Sequence, residues 1–559
     1  MKRNLGKLSA LSLSAALLVS VFSGCTSNAT KPTGSTEKSG EAAISTIPLP
    51  IVSKPITLKM FVAMDAKVAA TMKNYNEIAV FKELEKRTGI HIEFIHPASM
   101  DAAAIKEQFN LMVASGDLPD LIYYNWINDY NGGPNKAIKD GVILPLNDLV
   151  DKYAPNLKAF MASDPKANKQ LRTDDGTIYV FPEAQSPNQF AKVNPNPNPA
   201  FQTFGWQIRE DWLEKLNLKK PETIDDWYEV LKAFKTKNPS GSGKGDEIPL
   251  APKGAGDLQN WVRAWGINYG FYVDNGKVKY GPYTPEYKDS LTTLAKWYKE
   301  GLIDPDFGIT DAKQFDAKVM GNRAGSWVGS TSGTFGRFVQ LMKAKDPSVK
   351  LGGTVPPYVK GTKSYNFNID EIKVASGGGV AISAKSKYAK EAAMWLDYGY
   401  SPEGGLLNTF GIEGQSYKMV NGSPQLLPEI TNNPQGLSID EALSKYSRGS
   451  GGLAFIMTPE IWQQRMALPE QQKIIGLWKE GSYDRTMPPG VTPTIEESTK
   501  MASVLSQVNT YRDEMFSKII MGQVPITEFD NYMAKLKQMG IEDAIKIQQA
   551  AYDRYMARK

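Results

Sequence analysis

The sequence predicts an α/β protein of two or more lobes, and three observations predict it. The 559 residues exceed what a single hydrophobic core usually organises. With 41% hydrophobic and 22% charged residues, the chain has the balance of a globular protein rather than a disordered or fibrous one. Between Ile56 and Tyr124 the pattern alternates strand, helix, strand, helix, strand, as a parallel sheet requires.

Each element has a local reason. Ile56 to Val62 alternates apolar and polar side chains, as a half-buried strand does. Ile78, Phe81 and Leu84 recur at helical spacing, and Gly89 follows as a stop. His91 to Ile95 is a second strand, Phe109 to Ala114 a helix, and Leu118 to Tyr124 a third strand. The ligand crevice of such a sheet lies beyond the carboxyl ends of its strands. Further on, Thr223 and Asp226 form a capping box. Trp227, Val230, Leu231 and Phe234 behind them form one apolar helix face. From Pro493 onward the chain is mostly helical, broken at Gly522 and Gly540. Asn194 to Pro199 is the strongest interior boundary signal.

The amino terminus carries an address. Lys2, Arg3 and Lys7 precede an apolar stretch, Leu8 to Phe22, which is shorter than the ~20 residues a membrane-spanning helix needs. It fits the middle of a secretory signal. Phe22-Ser23-Gly24-Cys25 resembles a bacterial lipobox, which makes Cys25 the expected lipid attachment point and residues 1–24 the expected signal peptide. Residues 25–55, rich in Ser, Thr, Gly, Pro and Lys, read as a flexible tether. Removing the signal leaves 62 basic against 60 acidic residues, so the excess of +5 belongs mainly to the signal, and no nucleic-acid footprint remains.

Searches for reaction chemistry return little. One cysteine excludes an internal disulfide, and there is no G-x-S-x-G elbow and no P-loop. His91 and His96 fall on opposite faces of a strand and cannot share a metal there. Sixty acids offer many carboxylate pairs, but no spacing singles one out for glycoside hydrolysis. One loop spaces oxygen donors in the manner of an EF-hand: Asn238, Ser240, Ser242, Lys244, Asp246 and Glu247. It is a candidate for a structural calcium ion, against the alternative of a solvated Gly/Ser turn, and no other cofactor is expected. The tryptophans remain. Trp126 follows the third strand, Trp327 sits between small residues, and Trp206, Trp261 and Trp265 flank Gly- and Asn-rich stretches, as platforms for sugar C–H faces do. Trp212, Trp227, Trp297 and Trp395 lie in amphipathic helices and are assigned to the core.

Five segments together resemble a known family: Thr88 to Phe94, Ser115 to Ile122, Ile208 to Leu216, Gly379 to Ser383, and Phe410 to Gly414. Their order along the chain is similar to that of the extracellular solute-binding proteins of family 1, the large sugar-binding lipoproteins of Gram-positive bacteria. The resemblance implies a type II periplasmic-binding-protein-like fold, α/β throughout, with two lobes on a hinge and the ligand in the cleft. It implies lobe one from 56–186 and 355–408 and lobe two from 187–354 and 409–559. It also implies capture of an oligosaccharide without catalysis, and delivery to ABC permease subunits powered by a cytoplasmic ATPase. The protein would be a monomer held by its lipid on the outer face of the cell membrane. Trp126 and Asp129, Trp327, and Trp261 with Trp265 match ligand-facing positions of such proteins. Trp206 and Arg209 are added for their place near the lobe boundary. Some members carry calcium where Asn238 to Glu247 lie, with more acidic donors than are present here. Two competing readings stay open: a lipid-anchored polysaccharide-degrading enzyme, and a peptide-binding or sensory lipoprotein.

Overall fold

The computed structural model describes residues 47–163, 165–185, 204–367, 378–448 and 453–558, all of them within one compact unit, Ile44–Lys559. Cys25 and Asn194 to Pro199 lie outside the described residues. Two four-stranded sheets organise the unit. The first contains β1 (Ile56–Phe61), β2 (Ile90–Ile95) and β3 (Leu121–Asn125), all parallel, plus a later strand, Gly378–Ile382. The second contains β4 (Phe204–Arg209), β5 (Ile248–Leu250), β6 (Ala324–Ser330) and β7 (Leu351–Gly353); Gly378–Ile382 is then β8. The spatial orders are β8-β3-β1-β2 and β7-β4-β6-β5.

The local signals act as expected. Ile78, Phe81 and Leu84 are buried, and Gly89 ends the Ala79–Thr88 helix in the left-handed conformation. Thr223 accepts from the Asp226 N–H while the Asp226 carboxylate accepts from the Thr223 N–H, closing the capping box. The carboxyl-terminal region is helical over Ile495–Ile520, Phe529–Gln538 and Ile541–Ala557. Trp212, Trp227, Trp297 and Trp395 are core residues.

Each sheet has one strand that runs against the others, and these strands set the architecture. β8 pairs antiparallel with β3, Gly378 opposite Asn125. β4 pairs antiparallel with β6, Phe204 opposite Ser330. Both strands therefore begin at the edge where their parallel neighbours end. Phe204 and Gly378, the first residues of these two strands, therefore stand at the carboxyl edges of their sheets.

Core membership divides the chain differently from the expected segments. Phe410, Tyr417, Leu426, Leu443, Phe455 and Ile461 pack into the core of the first sheet. Val359, Tyr365 and Phe367 pack with the core of the second. The second sheet regains the chain only with Leu468, Ile474 and Trp478. The physical reason is that the helices Ala389–Tyr398 and Pro402–Phe410 leave an apolar flank of the first sheet uncovered, and the 410–461 stretch covers it.

The end of the chain ties back to the first sheet's layer. The helix Ile541–Ala557 starts in the second core with Ile541 and Ala544. Just beyond it, Arg558 donates to Asp174 (2.8 Å), to Thr492 (2.6 Å) and to the carbonyl of Arg172 (2.6 Å), while Arg554 joins Asp174 (2.6 Å) to Glu497. Asp174 sits in a turn between Leu171 and Ile178, both of the first core.

Asp397 does similar work inside the first core. Fully enclosed, it accepts from the Asn156 N–H (3.1 Å), the Leu157 N–H (2.8 Å) and the Asn156 amide (2.7 Å) at the start of the Pro155–Ser163 helix. Burial outweighs those three donors and pushes its carboxyl up to about 6, against about 3.9 for an unfolded aspartate. Between these values the folded chain holds a proton that the unfolded chain releases, so this group's contribution to stability falls as pH rises from about 4 to about 6. The expected outcome is that the melting-temperature difference between wild type and Asp397→Asn moves in favour of wild type on acidification across that window. A flat or reversed difference refutes the assignment.

Candidate functional site

The carboxyl edges of the parallel strands are where open α/β sheets bind ligands, and here Phe204 and Gly378, where the chain re-enters each sheet, stand at those edges. On the first sheet the edge is built by the loops after β1, β2 and β3. His96, just past β2, fastens two of them. Its Nε2 accepts from the Tyr75 N–H (3.1 Å), so its Nδ1–H donates to the Val62 carbonyl (2.9 Å). Burial, helped by Arg448, holds its pKa below the ordinary value and keeps the ring neutral. The Tyr75 hydroxyl donates to the Ala63 carbonyl and accepts from the Asp65 N–H. The Arg448 guanidinium lies 4.1 Å from the centre of the Tyr75 ring.

Tyr123 stands at the same edge. A Cβ on Gly378 would meet its hydroxyl at 3.4 Å, so only hydrogen separates that backbone from the phenol. Burial, reinforced by Glu183, pushes the hydroxyl up to about 12, yet the residue keeps part of its surface open to solvent. The sequence reading passed over Tyr123; its place at the carboxyl end of an apolar strand was the available signal.

The residues singled out from the sequence divide sharply. Asp129 is exposed in the turn after β3, and the surrounding protein raises its carboxyl above the usual range. Trp265 is half-buried at the end of the turn Asn260–Trp265, which follows β5 and the helix Ala255–Gln259. The other aromatics present no open face. Trp126 is enclosed by Phe109, Tyr124 and Tyr130. Trp206 and Trp261 pack edge to face, and Trp261 packs likewise against Trp227 and Trp297. Trp327 sits between Phe315 and Phe338 and donates its indole N–H to Gln207 (2.6 Å).

Arg209 departs from the expectation for a topological reason. β4 runs antiparallel, so its carboxyl end is the edge away from the crossing segments. There Arg209 donates two hydrogen bonds to the Asp211 carboxylate (2.9 and 2.6 Å), donates to Asn322 and stacks on Trp212. Asn322 in turn donates to the Ser240 carbonyl.

That opposite edge also carries the candidate metal loop. Ser240 donates to Glu247 (2.6 Å), Ser242 to Asp246 (3.3 Å), and Ser240 lies 3.4 Å from the Asn238 side-chain oxygen. Donors around calcium at 2.3–2.6 Å lie roughly 3 Å from one another, so the spacing suits the ion. Glu247 is buried, and its Oε2 has no partner. Asp246 is held by Arg323 (3.1 Å). Two carboxylates are the whole negative charge of the loop, which also carries Lys244, and among the described residues no group of three His, Cys, Asp or Glu gathers as a metal site. The oxygen donors present suit a hard cation, which they would hold with little charge.

Likeness to known proteins supports the same geometry. The chain is 27% identical to the fructooligosaccharide ABC transporter substrate-binding protein FusA of Streptococcus pneumoniae, over 99% of this chain and 98% of FusA. It is 28% identical to the polygalacturonan/rhamnogalacturonan-binding protein YtcQ of Bacillus subtilis, over 60% of this chain and 63% of that protein. Among solved structures, the alginate-binding protein AlgQ2 without calcium ion superposes with a TM-score of 0.74 at 28% identity, covering 90% of this chain and 99% of AlgQ2. An EF-hand mutant of FusA with fructo-nystose does so with a TM-score of 0.71 at 25% identity, covering 90% and 100%. The family model for the bacterial extracellular solute-binding proteins matches residues 69–406, well over half the chain, and its fold is the two-lobed one built here. With sheet edges, crossings and family match in agreement, this chain belongs to the bacterial extracellular solute-binding proteins.

Proposed function

We propose that the chain is the capture component of an ABC importer: it binds an oligosaccharide between two lobes and delivers it, without chemistry, to membrane permease subunits. The observation that carries this reading is that Phe204 and Gly378, where the chain re-enters each sheet, both stand at the carboxyl edges, so closing the lobes there would bring the two ligand-binding edges together. The full-length likeness to a fructooligosaccharide-binding protein supports the sugar class. On packing, lobe one is 56–185 with 378–463, and lobe two is 204–367 with 466–558. Tyr123 and Asp129 serve from the first lobe and Trp265 from the second, while the enclosed tryptophans and Arg209 hold the lobes' shape. Closure is stabilised by the ligand's preference for the closed state. A thermal-shift panel of glycans and peptides tests the reading. A glycan should raise the melting temperature with no product released; a response to peptides alone, or hydrolysis of the glycan, sinks it.

Cys25 is the proposed lipid attachment point. Among the described residues no helix is long and apolar enough to cross a membrane. Wild-type protein should partition into a detergent phase and Cys25→Ser should not; equal partitioning rules the anchor out.

Calcium is the proposed occupant of the Asn238–Glu247 loop, with Asn238, Ser240, Ser242, Asp246 and Glu247 as its side-chain donors. The unpartnered, buried Oε2 of Glu247 supports it, as does the EF-hand mutant made in FusA. Low ligand charge places affinity at the weak end of the EF-hand range, ~10⁻⁴–10⁻³ M. Millimolar calcium should raise the melting temperature of wild type but not of Glu247→Gln, and a chelator should reverse the rise. No shift in wild type overturns the assignment.

A further inference from the structure

Arg263 is unlike the other arginines. Every other described arginine makes a hydrogen bond or ion pair through its side chain. Arg263 makes neither. Its Nε is enclosed without a partner, and the side chain nonetheless keeps solvent access. The solvent-reached part is therefore the outer edge of the guanidinium, the fork of terminal nitrogens. Burial alone lowers its pKa to about 10, with no carboxylate offsetting it, so the group stays charged at neutral pH.

The position of the fork gives it meaning. Arg263 lies in the turn Asn260–Trp265, reached from the carboxyl end of β5 through the helix Ala255–Gln259. This is the crossing edge of the second sheet, two residues from half-buried Trp265. The acids near this region are otherwise engaged. Asp513 accepts from Tyr269 (2.9 Å) and pairs with Arg512, and Asp257 accepts from the Lys253 N–H (3.1 Å). An enclosed cation without a counter-charge is costly to the fold. A planar fork with open terminal nitrogens matches the two oxygens of a carboxylate.

We propose that Arg263 receives a carboxylate of the ligand, so that the captured glycan is acidic, a uronate-containing oligosaccharide. This rests on the reading of the cleft as a sugar site and names its substrate class. Hydroxyls of a neutral sugar would also bond to the fork, but they would leave its charge uncompensated in an enclosed place. The residue specifies the ligand through one geometry-dependent contact, while aromatics such as Tyr123 and Trp265 supply surface that any pyranose or furanose ring satisfies.

Isothermal titration of the full chain tests the proposal. The ligands are tetramers of galacturonate, mannuronate, guluronate and glucuronate, their methyl esters, and neutral tetramers of galactose, glucose and fructose. One acidic series should bind, its methyl ester should bind more weakly, and Arg263→Gln should weaken binding roughly 10- to 100-fold. Arg263→Lys, which keeps the charge but not the fork, should fall between the two. Melting of the ligand-free variants separates a lost contact from a lost fold, and an unfolded Gln variant leaves the Lys variant and the ester series to decide. Tight binding of a neutral tetramer with no response to acidic ones overturns the acidic class and leaves the receptor reading intact. Acidic binding that is indifferent to both Arg263 variants overturns the role of Arg263. A panel with no binding at all removes the receptor reading and this proposal with it.

Discussion

One topological constraint organises this molecule: each sheet contains a strand that runs against its neighbours and begins where they end. Phe204 lies opposite Ser330 and Gly378 opposite Asn125. These two pairings put Phe204 and Gly378, where the chain re-enters each sheet, on the edges at which the proposed ligand site lies. On that proposal the edges that hold a ligand are also the edges beside the pivot. Reversing β4 would put Phe204 at the far edge, beside Arg209 and the Asn238–Glu247 loop, and would uncouple the proposed capture from closure.

The two edges of the second sheet divide the labour. At the far edge Arg209 pairs with Asp211, bonds to Asn322 and through it is tied to the Ser240 carbonyl. Such a set is satisfied within the protein and holds its geometry without a ligand. At the near edge Arg263 and Asp129 of the other sheet have groups left to satisfy. On the proposed reading these are the groups a ligand pairs, and the difference between the two arginines is the difference between structure and recognition.

How much of this was legible in the sequence follows from the range of the forces involved. The strands β1 to β3, the Gly89 stop, the Thr223 capping box and the core tryptophans of the amphipathic helices are set by local pattern, and local pattern shows them. The ligand-facing aromatics are not set locally. Trp327 lies between Gly325 and Gly329, which reads as an open face. In the fold, a Cβ at Gly325 would meet the Phe234 ring at 2.5 Å, and one at Gly329 would collide with Thr334. Those glycines make room for close packing on the sheet, not for a sugar. Arg209 and Arg263 likewise look alike as letters; only the direction of β4 and the absence of a carboxylate near Arg263 tell them apart. The lobe boundary at 409 failed for a similar reason, since the apolar pattern of 410–461 says that the stretch is buried but not against which sheet.

The tie at the carboxyl terminus bears on how closure works. Arg558 and Arg554 bond Asp174, a residue of the first sheet's layer, to a helix rooted in the second core. Breaking it would leave a partly buried carboxylate without its two cations, which is far more costly than breaking a surface pair. On the proposed capture cycle, a closing motion of modest energy leaves Asp174 and Arg558 together, which limits the rotations open to the lobes. On the proposed capture cycle, the polar tie thus selects the path of closure, and the ligand, by pairing with Arg263 and stacking on the open aromatics, selects its end point.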